Sequence, residues 1–170
     1  MDLLIRPIQL EDAKEINDLR RMEGIMENIL GLPSETLMNS KSYLSKEDSL
    51  RHQFVAVLKK DRASEIIVGT AGLHVNELPR KRHSGTIGIM VHTEYQGMGI
   101  GKQLMSTVLD VADNWLMLTR IELEVFADNE KAINLYQKFG FEVEGVKKKA
   151  AIRNGRYADE MLMGRIRNEE

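Results

Sequence analysis

The sequence has no cysteine, and that absence removes disulfides, thiolate metal ligands and a cysteine nucleophile from its chemistry. Histidine is scarce as well: His52, His74, His83 and His92 show no short ligand spacing, so no metal is expected. Long apolar runs are missing. None approaches the roughly 20 residues of a membrane span, and Met1-Asp2-Leu3-Leu4-Ile5-Arg6 lacks the basic, apolar and cleavage regions of a signal peptide. A membrane partner is therefore not expected, and a cytoplasmic location is. Charge of one sign is also missing, because 24 Lys and Arg face 26 Asp and Glu for a net charge of -2. Such a balance gives no broad basic field for a nucleic-acid backbone, and only the local cluster Pro79-Arg80-Lys81-Arg82-His83 keeps nucleic acid as a distant third reading. Neither repeats, low-complexity tracts nor a linker interrupt the 170 residues, so residues 1–170 are expected to form a single domain.

What is present is an order of strand-like and helix-like segments. Ile5-Arg6-Pro7-Ile8 resembles an edge strand feeding a helix that opens at Glu11-Asp12-Ala13 and carries Ala13, Ile16, Leu19 and Arg20 at helical spacing. Residues 23–50 are irregular, broken by Gly24, Gly31 and Pro33, with a polar segment at 45–51 offered as helical; the region is read as a substrate-side lid. Runs at 54–58 and 66–73 are β-rich around a turn at 59–64, and 86–91 adds another strand. Leu104, Val108, Val111, Ala112 and Trp115 then fall on one helical face. Ile121, Leu123 and Val125 alternate as a strand; Ala132, Leu135, Tyr136 and Phe139 mark a helix ending at Gly140. Closing strands at 141–147 and 159–166 are joined through Arg153-Asn154-Gly155-Arg156. Strands come first as a meander and later alternate with helices, which predicts an α/β fold with a sheet of mixed direction.

The stretch Tyr95-Gln96-Gly97-Met98-Gly99-Ile100-Gly101-Lys102 carries the chemistry. A triphosphate-binding loop needs four residues between its first glycine and Gly-Lys, then Ser or Thr; here there are three, and Gln103 follows. A dinucleotide fingerprint wants glycine where Lys102 stands, inside an amino-terminal βαβ unit that is absent. The pattern (Gln/Arg)-x-x-Gly-x-(Gly/Ala) is met at each defined position by residues 96–101. Physically, glycines let successive N–H groups converge on a pyrophosphate, the following helix offers its positive end, and Lys102 adds charge.

This loop resembles that of the Gcn5-related N-acetyltransferase superfamily. Asn129-Glu130-Lys131-Ala132-Ile133-Asn134-Leu135-Tyr136-Gln137-Lys138-Phe139-Gly140-Phe141 is similar to the same family's later motif, in the same order along the chain. The likeness runs from about residue 66 to 141, and the stretch from Asp113 to Asp159, with Asn114-Trp115-Leu116 and Arg153-Asn154-Gly155, looks most like bacterial single-domain members that acetylate small amines and free amino acids. The resemblance implies a mixed, mostly antiparallel sheet with helices on both faces and two parallel strands, 86–91 and 120–126, splayed to admit acetyl-CoA as cosubstrate. It places the pantetheine arm along Ile89, Met90 and Val91, with a backbone N–H near Met90 or Val91 on the thioester carbonyl. It places the pyrophosphate on Gln96, Gly97, Met98, Gly99, Ile100, Gly101 and Lys102, and the pantetheine amides near Asn129 and Ala132. Asn129 also reads as a helix N-cap, and both roles stay open.

Tyr136 matches the family's general acid for the leaving thiolate, beside its plainer reading as a core aromatic. Where many relatives carry a glutamate before the loop this sequence has Thr86, so the base is not carried over; Glu124 is the candidate, with Glu122, His74 and His83 behind it and ion pairing as the plainer role. Without cysteine, transfer is expected to be direct, in one ternary complex. The implied function is acetyl transfer to a primary amine of a small molecule such as a free amino acid, with acceptor residues from about 20–45 and 147–160. The rival readings are a catalytically weak acetyl-CoA sensor or interaction module, and a protein N-terminal acetyltransferase. A homodimer is common in the family, but the chain carries no interface signature.

Overall fold

The β-rich runs all become strands of one sheet. In the computed structural model, which describes residues 2–59 and 64–168, these are β1 (Asp2–Pro7), β2 (Arg51–Lys59), β3 (Glu65–Val75), β4 (Ser84–Val91), β5 (Arg120–Phe126), β6 (Glu142–Arg153) and β7 (Arg156–Ile166). Their order across the sheet is β1-β2-β3-β4-β5-β7-β6. Every neighbouring pair is antiparallel except β4 and β5. The fold class is thus the mixed, mostly antiparallel α/β arrangement, with β1 at an edge. The turn expected at 59–64 falls largely on residues 60–63, outside the described residues. The Asn154-Gly155 turn forms between β6 and β7 with both residues at positive φ, 50° and 73°, as a two-residue hairpin requires.

Period-two alternation assigns the two faces, with one reset in β3, where a bulge opposite Ala56 and Val57 leaves Val68 without a partner and puts Ile67 and Ala71 on opposite sides. Val55, Val57 and Ile67 pack with Ile16 of helix α1 (Ala13–Arg20) and Leu44 of α2 (Leu37–Ser45) on one side. Their neighbours in the strands, Ala56, Val68, Ala71 and Leu73, pack on the other side with Ile100, Leu104, Met105 and Val108 of α3 (Ile100–Asp110). Each aliphatic side chain fully buried there contributes about 1.5–3 kcal/mol. Helix α4 (Glu130–Lys138) joins this larger cluster through Tyr136, Ala132 and Leu135.

Two expectations about helices change. The segment at 45–51 is not helical: the helix lies before it, where Thr36 accepts the N–H of Asn39 and the Asn39 side chain accepts the N–H of Thr36, so asparagine fills the place of the usual Glu or Gln. Trp115 does not share the buried face of Leu104, Val108 and Ala112 but is 78% exposed. Residues Val111–Trp115 form a π turn, with Leu116 donating to Val111 O at 3.0 Å, and the wider turn rotates Trp115 out of phase. Among the described residues, no helix is long and apolar enough to cross a membrane.

Candidate active site

The parallel strands β4 and β5 pair only at Ser84, Gly85 and Thr86 against Arg120, Ile121 and Glu122. Beyond that point they part, and a cleft of about 2150 Å³ extends through the gap and along both sides of the sheet. A single small-ligand pocket holds roughly 300–1,000 Å³, so the cleft has room for two reactants.

The open edge of β4 has a defined phase. His92 donates to Val68 O at 2.9 Å, which makes 92 and 68 a hydrogen-bonded pair of the β3–β4 ladder. By alternation the N–H of Met90 faces β3, while those of Ile89 and Val91 face the gap. Of the two groups expected near the thioester, Val91 is the one on the gap side, and Met90 is turned away from it. The Gln96 side chain donates to Val91 O at 3.0 Å, so it ties the glycine loop to the end of β4.

The three loop glycines divide into two kinds. Gly97 and Gly99 have φ of 78° and 84°, a left-handed backbone that side chains resist, and a Cβ on either would meet open space. Gly99 is the N-cap of α3 and no side chain caps that helix, which leaves the first-turn N–H groups of Ile100, Gly101 and Lys102 pointing outward. Gly101 serves packing: a Cβ there would sit 3.2 Å from Leu135 Cδ2, so glycine lets α3 and α4 approach. Ile100 is buried and offers the loop only its backbone, whereas Met98 is exposed. Open space, uncapped N–H groups and Lys102 together fit a pyrophosphate. Lys131 and Lys138 of α4 also line the cleft, two cations to which no site role was assigned from sequence.

Asn129 Oδ1 accepts the N–H of Ala132 at 3.3 Å, so the capping role holds and both residues line the cleft. Tyr136 is buried against Phe141, with ring centroids 5.9 Å apart. Burial pushes its hydroxyl up to about 12. Among the described residues the one buried side-chain polar atom without a partner is His52 Nε2, and no hydrogen bond holds the Tyr136 hydroxyl, so that oxygen opens onto the cleft.

On the opposite face of the sheet, Glu124 of β5 lines the cleft and pairs with Lys147 of β6. Beside it stands Glu160 of β7, 7% exposed and also lining the cleft. Burial first, then the hydrogen bond and charge of Glu124, raise the Glu160 carboxyl above the ordinary range, with Lys147 opposing. Sequence reading missed Glu160; the available signal was an acid between Ala158 and Leu162 on a strand face that continues with Gly164 and Ile166. Glu122 is instead taken by Arg120, which also holds Glu144. Thr86 and His74 line the cleft, but His83 does not, and its carbonyl receives the N–H of Thr119 and Arg120. Arg80 and Lys81 sit on an exposed short 3-10 turn.

The remaining wall comes from residues 20–44, as expected of the irregular region, and from Glu160 at the far end of the 147–160 segment. Arg51 is spent on structure: it bonds Asp48 at 2.9 Å and the carbonyls of Tyr43 and Lys46, and stacks over the Tyr43 ring. Arg20 holds Glu35 through Nε and Nη2, at 2.9 and 3.2 Å, and its Nη1 has no partner among the described residues.

Comparison with known proteins agrees with this geometry. The sequence profile of the Acetyltransferase (GNAT) family matches residues 21–141. The chain is 33% identical over 166 residues to the L-amino acid N-acetyltransferase AaaT of Escherichia coli, covering 98% of this chain and 99% of that protein. It superimposes on the spermidine N-acetyltransferase of Vibrio cholerae, solved with CoA and spermine, with a TM-score of 0.83, 27% identity and 96% and 95% of the two chains covered. An acetyltransferase fold from Salmonella typhimurium solved with acetyl-CoA gives a TM-score of 0.85 at 18% identity, over 100% of this chain and 96% of that one.

Proposed function

From the premise that the chain belongs to the acetyltransferase (GNAT) family, we propose that its acetyl-CoA lies in the gap between β4 and β5 and that its acceptor is a small primary amine entering from the α1–α2 face. The observation that carries this reading is the continuity of one cleft from the uncapped glycine loop, through the parted strands, to the acidic face beyond them. The enzyme is an acetyl-CoA-dependent N-acetyltransferase, and no group of metal-ligating side chains occurs among the described residues.

In this reading Val91 N–H supports the oxyanion of the tetrahedral adduct, and the first turn of α3 with Lys102 holds the pyrophosphate. Tyr136 stands on the α3–α4 side of the gap, where its hydroxyl carries a proton at neutral pH, as an ordinary tyrosine does and burial reinforces, and can donate it to the departing thiolate. Glu124 stands on the other side, facing the amine. The net reaction converts an ammonium and acetyl-CoA to an amide, free CoA thiol and one proton. A free amino acid is the acceptor class best supported, by the similarity to an L-amino acid N-acetyltransferase and by Arg20, whose unpartnered Nη1 suits a carboxylate. The whole of residues 1–170 acts as one acyltransferase unit, because the strands at both ends of the chain belong to the same sheet.

The test is free-thiol release from acetyl-CoA against free amino acids, polyamines and peptide N-termini, with mass detection of the products. Acetylated amino acids are the expected product. Acetyl-CoA binding without any acetylated amine would instead support a sensor.

A further inference from the structure

The sheet topology brings together two carboxylates that lie far apart in the chain. Strand β7 slots between β5 and β6, so Glu160 is directly opposite both Phe126 and Lys147, while Glu124 is opposite Leu162. Directly opposed residues share a face, and the diagonal neighbour lies within reach across the strands. Glu124 and Glu160 are therefore diagonal neighbours on the face that meets the acceptor side of the cleft. The two differ in partners. Glu124 is already paired with Lys147. Glu160 is more than nine-tenths buried, lines the cleft, and receives no cationic donor among the described residues. Its hydrogen bond is with Glu124, and the ammonium opposite it, Lys147, is committed to Glu124, so this buried carboxyl has no hydrogen-bonded cation of its own among the described residues.

We propose, building on the acetyltransferase reading above, that Glu160 is the residue that docks the acceptor ammonium and accepts its proton, with Glu124 and Lys147 setting the field around it. The ammonium supplies the missing cation. One N–H bond of the ammonium breaks and one O–H bond forms on the Glu160 carboxylate; the proton then leaves to solvent along the open cleft. The freed lone pair forms the N–C bond to the thioester carbonyl; as the C–S bond breaks on the far side of the sheet, Tyr136 gives its proton to the departing thiolate, and the second N–H proton of the adduct nitrogen passes through water in the cleft to restore the Tyr136 hydroxyl. Acid and base are thereby placed on opposite sides of one gap, which keeps the incoming ammonium proton away from the thiolate side.

The charged groups around Glu160 fix the expected pH behaviour. They are Glu124 on β5 and Lys147 on β6, with Glu122 acting on Lys147 in turn; Arg153 of β6 lies over the Phe126 ring opposite Glu160 and is paired with Asp128. Burial and Glu124 both raise the carboxyl, so the ionised base is lost as pH falls through a value above the usual ~4.3 of glutamate. Turnover should therefore decline on the acid side, with the midpoint set by the pair and Lys147 rather than by Glu160 alone.

The test compares wild type with Glu160→Gln, Glu160→Asp and Lys147→Met by the pH dependence of kcat and by calorimetric acetyl-CoA binding. Glu160→Gln is expected to lower kcat about 100-fold, in the range of lost general-base catalysis, and to abolish the acid limb while acetyl-CoA affinity stays unchanged. Glu160→Asp is expected to restore part of the rate and the limb. Lys147→Met, at an exposed position, is expected to move the limb to higher pH by removing the opposing cation. Wild-type transfer with an unaltered rate and limb in Glu160→Gln, or an unmoved limb in Lys147→Met, would overturn the proposal and leave the acetyltransferase reading intact. Absence of transfer by wild type to any amine would instead sink the reading on which it rests.

Discussion

The two halves of the cleft are built on different principles. The α3–α4 side offers a ligand mainly its main chain: left-handed Gly97 and Gly99, an uncapped helix start, and a strand edge with Ile89 and Val91 facing the gap. The α1–α2 side offers side chains: Glu124, Glu160, Arg20 and the exposed Leu30 and Leu32, carried in part by short turns between α1 and α2. Main-chain recognition suits a ligand that never changes, and side-chain recognition suits one that distinguishes acceptors. Variants on one side should therefore alter acetyl-CoA affinity or chemistry, and variants on the other should alter the acceptor KM.

The largest effect that sharpens this division is expected from Tyr136→Phe, which removes the proposed proton donor and keeps the buried ring. Its kcat should fall about 100-fold with acetyl-CoA affinity unchanged. Unchanged turnover in stopped-flow thiol release would take the hydroxyl out of the chemistry. Next comes Gly99→Val, which forces a branched side chain into a φ of 84°. A strain of about 1–3 kcal/mol should weaken acetyl-CoA binding roughly 10- to 100-fold, read by calorimetry, while the acceptor KM moves little. Asn129→Ala removes the cap on Ala132 N–H and should cost about 1 kcal/mol in denaturant unfolding. A loss confined to acetyl-CoA affinity would show that the capping bond is secondary. Smallest is Leu32→Ser at the acceptor end, expected to raise the acceptor KM about threefold through lost apolar contact of roughly 1 kcal/mol or less; a change in acetyl-CoA affinity would break the comparison.

The same division explains what the sequence made legible. A backbone that must turn left-handed beside a ligand leaves glycines at fixed spacing, so residues 96–102 and the strand before them could be placed before the fold was seen. The role of Gly101 could not, because it depends on Leu135 arriving from α4. Glu160 was hidden for a related reason: its meeting with Glu124 exists only because β7 lies between β5 and β6, and no local period encodes that order. Trp115 was misplaced because a single π turn resets the helical phase that the spacing assumed. The helix Leu37–Ser45 was missed because its N-terminus is closed by Thr36 and Asn39 and it buries only Ser40, leaving little apolar signal.

The central claim is that both substrates occupy the parted strands together and that the acetyl group passes directly between them. Initial velocities measured over a grid of acetyl-CoA and amine concentrations test it most directly. Intersecting double-reciprocal lines, with no acetylated protein in the intact mass spectrum, are the predicted result. Parallel lines together with an isolable acetyl-enzyme would contradict it.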